Sequence, residues 1–188
     1  MASPFLYFAD ERLSLAELSA ARLDGHLIEV DAAYMPADTV ETSAARAASL
    51  APLLRDLLGA THLSAAWVHG VIADPPVRHT VQRAVPHRIH GVIHRRLHYR
   101  DRYLPERDLQ RIGGVLVTTP ARTVADLARV GDAAHRIALN GFARNQAAVR
   151  EGIAWLEQAG TVPHKVRALE LLRSLSAERY DDVTRYTS

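Results

Sequence analysis

Apolar positions recur along this chain with two different periods, and the switch between them lays out the elements. In SLAELSAARLDGHL, residues 14–27, Leu15, Leu18, Ala21 and Leu23 fall at helical spacing, with Ser14 placed to cap the start and Gly25 to turn the chain afterwards. LIEVDAAYMP, 27–36, then alternates up to Pro36 and predicts one or two extended segments. Helix, turn and ribbon is the order of the second half of a winged helix-turn-helix, an order other small units share. ETSAARAASLAPLLRDLL, 41–58, returns to the helical period with Ala44, Ala48, Leu53 and Leu57 inward, kinked or restarted at Pro52. THLSAAWVHGVI, 61–72, predicts a short helix capped by Ser64, carrying Ala65, Ala66 and Trp67 and ended by Gly70; DPP at 74–76 breaks it off.

From residue 77 the period falls to two. VRHTVQRAV, 77–85, and IHGVIHRRLHYR, 89–100, read as two paired strands joined at Pro86, and VLVT, 115–118, as a third entered through Gly113 and Gly114. Thr119 is then an N-cap with Pro120 at the first helical position, and ARTVADLARV turns Val124, Leu127 and Ala128 inward. Arg122 and Asp126, four apart, are expected to pair in solvent, worth about 0.3–0.5 kcal/mol. The remainder up to residue 175 predicts two or three helices divided by Gly141, Gly160 and Pro163, and YDDVTRYTS, 180–188, is expected to fray. The fold class that follows is α+β: a truncated winged-helix-like unit over 1–40, then a mixed domain over 41–188 with a small, mainly antiparallel sheet and C-terminal helices.

Composition narrows the chemistry. With 188 residues, 48% of them hydrophobic, the chain can bury a core of its own. The absence of cysteine removes disulfides, thiol nucleophiles and cysteine zinc sites together. No run of eighteen apolar residues occurs, and MASPFLYFADERLSL lacks the basic start and apolar centre of a secretion signal, so the expected location is the cytoplasm, off the membrane.

The formal charge of +2 hides a strong asymmetry. Residues 1–60 carry four arginines against nine acids, a net of −5; residues 78–111 carry nine arginines against three acids, a net of +6, and five of the ten histidines. Within this block HGVIHRRLHYRDR, 90–102, repeats histidine at 90, 94 and 98 among four arginines. As a strand, it sets His90, Val92, His94, Arg96, His98 and Arg100 on one face and Ile89, Gly91, Ile93, Arg95, Leu97 and Tyr99 on the other.

Three readings of that block compete. A helix would stack the three imidazoles one turn apart, a spacing able to hold a metal, but Gly91 among β-branched neighbours opposes the helix, and Arg95, Arg96 and Arg100 repel a divalent cation. A solvated sheet face with no task is the second. The third, adopted here, is a surface for nucleic acid, because arginines spread along a ribbon bridge successive phosphates and gain from counterion release. Its contact residues are Arg83, Arg88, Arg95, Arg96, Arg100 and Arg102, with His98 adding stacking or hydrogen bonds. Six phosphate contacts give log K a slope of roughly −5 against log salt.

Catalysis finds no such foothold. A restriction-type site needs an acid, one residue and a lysine, whereas the sole lysine, Lys165, stands in VPHKV. Walker, HExxH, G-x-S-x-G and G-x-G-x-x-G patterns are missing as well. No catalytic residue, metal ligand or cofactor is assigned.

Four stretches together resemble the AbiEi family of antitoxins: DGHLIEVDAAYMPAD at 24–38, HLSAAWVHGV at 62–71, RRLHYRD at 95–101 and, most specifically, GGVLVTTPARTVADLAR at 113–129. The resemblance implies an antitoxin of a type IV toxin-antitoxin system. Such a protein is a winged-helix autorepressor that binds inverted repeats in its own promoter DNA and neutralises an AbiEii-type nucleotidyltransferase toxin. The pattern normally supplies a further helix before the one at 14–24, where this chain has only MASPFLYFADERL. The recognition helix would carry only Arg22 and His26, so the DNA contacts are expected on the basic sheet region. HLSAAWVHG and TTPARTVADLAR read as scaffold, through Trp67 in the core, Gly70 at a helix end and the capping at Thr119. Two alternatives stand beside this reading: an interaction module, an orphan antitoxin that does not bind DNA, and a metal-dependent nuclease.

Overall fold

The computed structural model describes residues 5–10 and 12–185, and the chain forms two compact units that interleave along the sequence. Unit one takes the residues up to Gly59 together with Val81–Val117, and unit two takes Ala60–Thr80 with the residues after Val117. Residue 40, the expected end of a separate N-terminal unit, falls inside unit one. No helix among the described residues is long and apolar enough to cross a membrane.

Unit one opens with α1, Leu15–Leu23, started by a capping box. The Glu17 amide donates to the Ser14 hydroxyl, and the Glu17 carboxylate accepts from the Ser14 amide, satisfying two otherwise orphaned donors. Leu18 is buried while Leu15 and Leu23 stay exposed. β1, Leu27–Val30, and β2, Ala33–Pro36, pair antiparallel from Leu27 opposite Pro36 to Val30 opposite Ala33. The turn between them holds Asp31 at φ 55°, the sign that two-residue hairpins favour.

The helical stretch expected over 41–58 restarts around Pro52, as expected there, but ends at Leu54. α2 spans Ser43–Ser49, capped by Thr42, and α3 spans Ala51–Leu54 with Pro52 in its first turn, where a missing N–H costs nothing. The break rotates the buried face, so Ala45, Ala48, Leu50 and Leu54 are covered and the expected Ala44 and Leu57 are exposed. The rest becomes β3, Leu58–Ala60, a buried strand in the middle of a five-stranded sheet.

That sheet runs in the order β5-β4-β3-β7-β6, with β4 at His79–Arg83, β5 at Leu97–Tyr103, β6 at Leu109–Ile112 and β7 at Val115–Thr118. Leu104 N–H donates to the Arg83 carbonyl at 2.9 Å, so β4 and β5 finish side by side and run parallel. Parallel neighbours need a connection of about a dozen residues. Residues 84–96 supply it as a crossover loop, so the strand expected over 89–100 exists only from Leu97 onward. β6 and β7 turn tightly through Gly113 and Gly114, both at positive φ, and a Cβ on Gly113 would lie 2.2 Å from the Ala44 carbonyl oxygen of α2.

Unit two is helical. α4, His62–Val68, starts at Thr61 and not at the expected Ser64, which lies inside the helix with its hydroxyl accepting from Thr80 N–H. α5, Pro120–Val130, begins at the Thr119 cap and ends at Gly131 in the left-handed region. α6 is Ala133–Phe142, which runs through Gly141 where a division was expected; α7 is Gln146–Gln158 and α8 Lys165–Arg185. α8 extends into the tail expected to fray, and residues 186–188 lie outside the described residues. Val124, Leu127, Leu139, Leu156 and Leu172 make one core with their neighbours.

The Arg122–Asp126 pair expected in solvent is buried, at 7% and 1% exposure. Arg122 Nε donates to Asp126 at 3.0 Å, Arg129 donates to the other carboxylate oxygen at 3.2 Å, and the Arg122 guanidinium lies 4.6 Å from the Trp155 ring centre. Nearby, His69 Nε2 meets the Thr118 carbonyl at 2.9 Å, and burial holds the imidazole below its ordinary value of 6.5 although that carbonyl pulls the other way.

Asp126→Ala removes the carboxylate from a buried guanidinium and is expected to cost about 3–5 kcal/mol in urea denaturation. Gly91→Ala, in open space at positive φ, is expected to cost about 1–2 kcal/mol of backbone strain. Gly113→Ala adds overlap with α2 and should exceed it by about 1–3 kcal/mol in the same titration. Because the unfolded chain protonates His69 before the folded one does, stability is full above pH 6.5 and declines as pH falls through that value. Melting temperatures between pH 7.5 and 5.5 should show this decline, and His69→Gln should flatten part of it.

Candidate nucleic-acid interface

β5 lies at one edge of the five-stranded sheet, and its alternation separates its charges. His98, Arg100 and Arg102 point to one face, and Leu97, Tyr99, Asp101 and Tyr103 to the other. Of the six residues expected to share a face, only His98 and Arg100 do so on a strand; His90, Val92, His94 and Arg96 precede it in the crossover loop.

Asp101 organises its face. Arg83 Nε donates to Oδ1 at 2.9 Å, the Tyr99 hydroxyl donates to the same oxygen at 3.2 Å, and Arg88 Nε lies 3.5 Å from Oδ2. Burial first, and then that bond to Asp101, raise the Tyr99 phenol above its ordinary value, so it remains a donor. Arg83 also donates through Nη1 to the carbonyls of Val85, Pro86 and His87, and its guanidinium lies 5.7 Å from the Tyr103 ring centre. With a side chain only 15% exposed, Arg83 braces the start of the loop.

A second arginine holds the loop's other end. Arg96 Nη2 donates to the nearly buried carboxylate of Asp31 in the β1–β2 turn, and the Arg96 amide donates to His94 Nδ1 at 3.2 Å. The acidic ribbon and the basic block therefore meet inside unit one, and part of the expected contact set is consumed there. Arg100 is half-buried and already engaged.

What stays on the surface is Arg95 in the loop, His98 and Arg102 on the strand, and Arg88 with a side chain 77% exposed. Arg107, which was not singled out from sequence, is more exposed still. Its signal was its place inside the +6 block, outside any strand pattern. Charges on an edge strand also have a structural use, since they block pairing with another sheet. Of the four exposed arginines only Arg102 lies on that strand. Among the described residues no group of three or more histidine, aspartate or glutamate side chains is arranged to hold a metal ion.

The family model described as the AbiEi antitoxin C-terminal domain matches residues 59–174. This range includes HLSAAWVHGV, RRLHYRD and the GGVLVTTPARTVADLAR segment, and leaves the ribbon sequence at 24–38 outside. No curated protein matches the chain. The match takes in more than half of the residues, together with the crossover loop, β5 and the buried Arg122–Asp126 helix: the chain belongs to the AbiEi antitoxin family, the antitoxin side of a toxin-antitoxin system.

Proposed function

We propose that this antitoxin is a cytoplasmic, non-enzymatic repressor that binds duplex DNA of its own promoter and neutralises a nucleotidyltransferase toxin. The observation that carries the DNA reading is the exposure of Arg88, Arg95, Arg102 and Arg107 on the crossover loop, the edge strand and the turn that follows. Guanidinium groups so placed gain by displacing counterions from phosphates, and His98 and Arg100 add donors on the same strand. Arg83 and Arg96 leave the contact set because Asp101 and Asp31 hold them.

The N-terminal helix and ribbon support this reading less. They have the order of a winged-helix half, but the net of −5 over residues 1–60 repels phosphate, and α1 supplies Arg22 alone. Register on inverted repeats is then set chiefly by the basic edge.

Mobility shift on the region upstream of the gene, over a range of salt, tests the proposal. With Arg88, Arg95, Arg102 and Arg107 in contact, the slope of log K against log salt should be roughly −3.6, shallower than six contacts would give. The double change Arg95→Ala and Arg102→Ala should lower the slope magnitude by about 2 and leave the melting temperature unchanged. Arg83→Ala should do the reverse, lowering the melting temperature while the folded fraction keeps its slope. No shift at low salt would sink the DNA reading and leave the interaction module. Neutralisation is checked by growth rescue when the chain is expressed with the nucleotidyltransferase.

A further inference from the structure

The crossover loop presents one apolar side chain where every neighbouring feature favours a charged one. Ile93 is 94% exposed, among exposed His90, His94 and Arg95, with Arg88 at the start of the same segment. A single exposed isoleucine is ordinary on a protein surface. This one sits on a loop that is held at both ends, by Arg83 on the carbonyls of residues 85–87 and by Arg96 on Asp31. Ile89 and Val92 are half-buried, which anchors the segment and leaves Ile93 as the apolar group turned outward. Gly91, at φ 73°, lets the chain reverse so that Ile93 N–H donates to the Gly91 carbonyl at 2.7 Å. The loop is thus a tethered segment that exposes an apolar side chain between Arg88 and Arg95.

We propose that residues 87–95 enter the minor groove of duplex DNA, with Ile93 wedged between two stacked base pairs and Arg95, His94 and His90 along the groove walls. This rests on the DNA-binding reading above and deepens it. A loop suits a groove about 6 Å wide that a helix does not enter. Proteins that read this groove place arginine in it and insert a branched apolar side chain that unstacks one step and bends the duplex. The favoured target is a pyrimidine–purine step, the easiest to unstack, beside an A·T-rich stretch whose narrow groove attracts cations. Ile93 therefore contributes specificity by deformability, and the arginines on β5 contribute the salt-dependent grip.

The test uses the full chain and the upstream duplex carrying 2-aminopurine at successive TpA steps, with end-to-end energy transfer to report bending. Wild-type protein is expected to raise 2-aminopurine emission at one step per bound site and to shorten the end-to-end distance. Ile93→Ser should bind about tenfold more weakly, lose both signals and keep the wild-type salt slope, since no phosphate contact is removed. Ile93→Leu should retain the signals, and Arg102→Ala should weaken binding and slope while unstacking persists. If Ile93→Ser shifts the duplex with unchanged affinity, emission and bend, the wedge is wrong and the DNA reading survives. If wild-type protein shifts no duplex, both fall together. If Ile93→Ser leaves DNA binding intact but abolishes toxin neutralisation, the loop is a toxin contact and the wedge is likewise overturned.

Discussion

Parallel pairing of β4 with β5 is the constraint on which the rest of the candidate interface depends. Two strands that finish together cannot be joined by a tight turn, so thirteen residues must cross from the end of one to the start of the next. Those residues carry three arginines, three histidines and no acidic side chain. Their conversion from strand to loop changes their surroundings: side chains that would have lined a flat face belong instead to a loop held at both ends. An antiparallel hairpin through Pro86 would have hidden half of them against the sheet.

The arginines then divide by what lies within reach of each. Asp101 and Asp31 each take a guanidinium, and the two pairs clamp the loop at its ends. Both are partly screened ion pairs whose value lies in geometry more than in energy, because an arginine fork also satisfies backbone carbonyls that a loop leaves without partners. Arg88 and Arg107 also lie near an acid, Asp101 and Asp108, yet their side chains stay at the surface. Charge counted along the sequence treats all nine alike, whereas the tertiary contacts separate the shielded supports Arg83 and Arg96 from the exposed Arg88 and Arg107.

Unit two shows the same separation in a buried setting. The pattern of TTPARTVADLAR is explained by an N-cap, a proline in the first turn and an ion pair, all local features. Burial of that pair under Trp155 changes its meaning from a few tenths of a kcal/mol of surface attraction to a contact whose loss is costly in either partner. Conversely, the Thr118, Thr123 and Ser64 hydroxyls and the His69 and His79 rings satisfy one another and the nearby backbone.

The local rules of the chain were legible from its sequence. The capped helices at 15–23 and 120–130, the ribbon at 27–36 and the strand at 115–118 are set by caps, prolines, glycines and period, which act within a few residues. The family resemblance was legible for the same reason, since its motifs are short and contiguous. What the sequence did not contain was any signal whose cause lies far along the chain. β3 is three residues long, too short to show a period, and becomes a strand because its neighbours in the sheet hydrogen-bond it from both sides. The alternation over 89–96 is present in the letters but finds no partner strand. Which arginines brace the loop was decided only when folding brought Asp101 and Asp31 within reach of Arg83 and Arg96, because electrostatic pairing depends on distance in space and not on position along the chain.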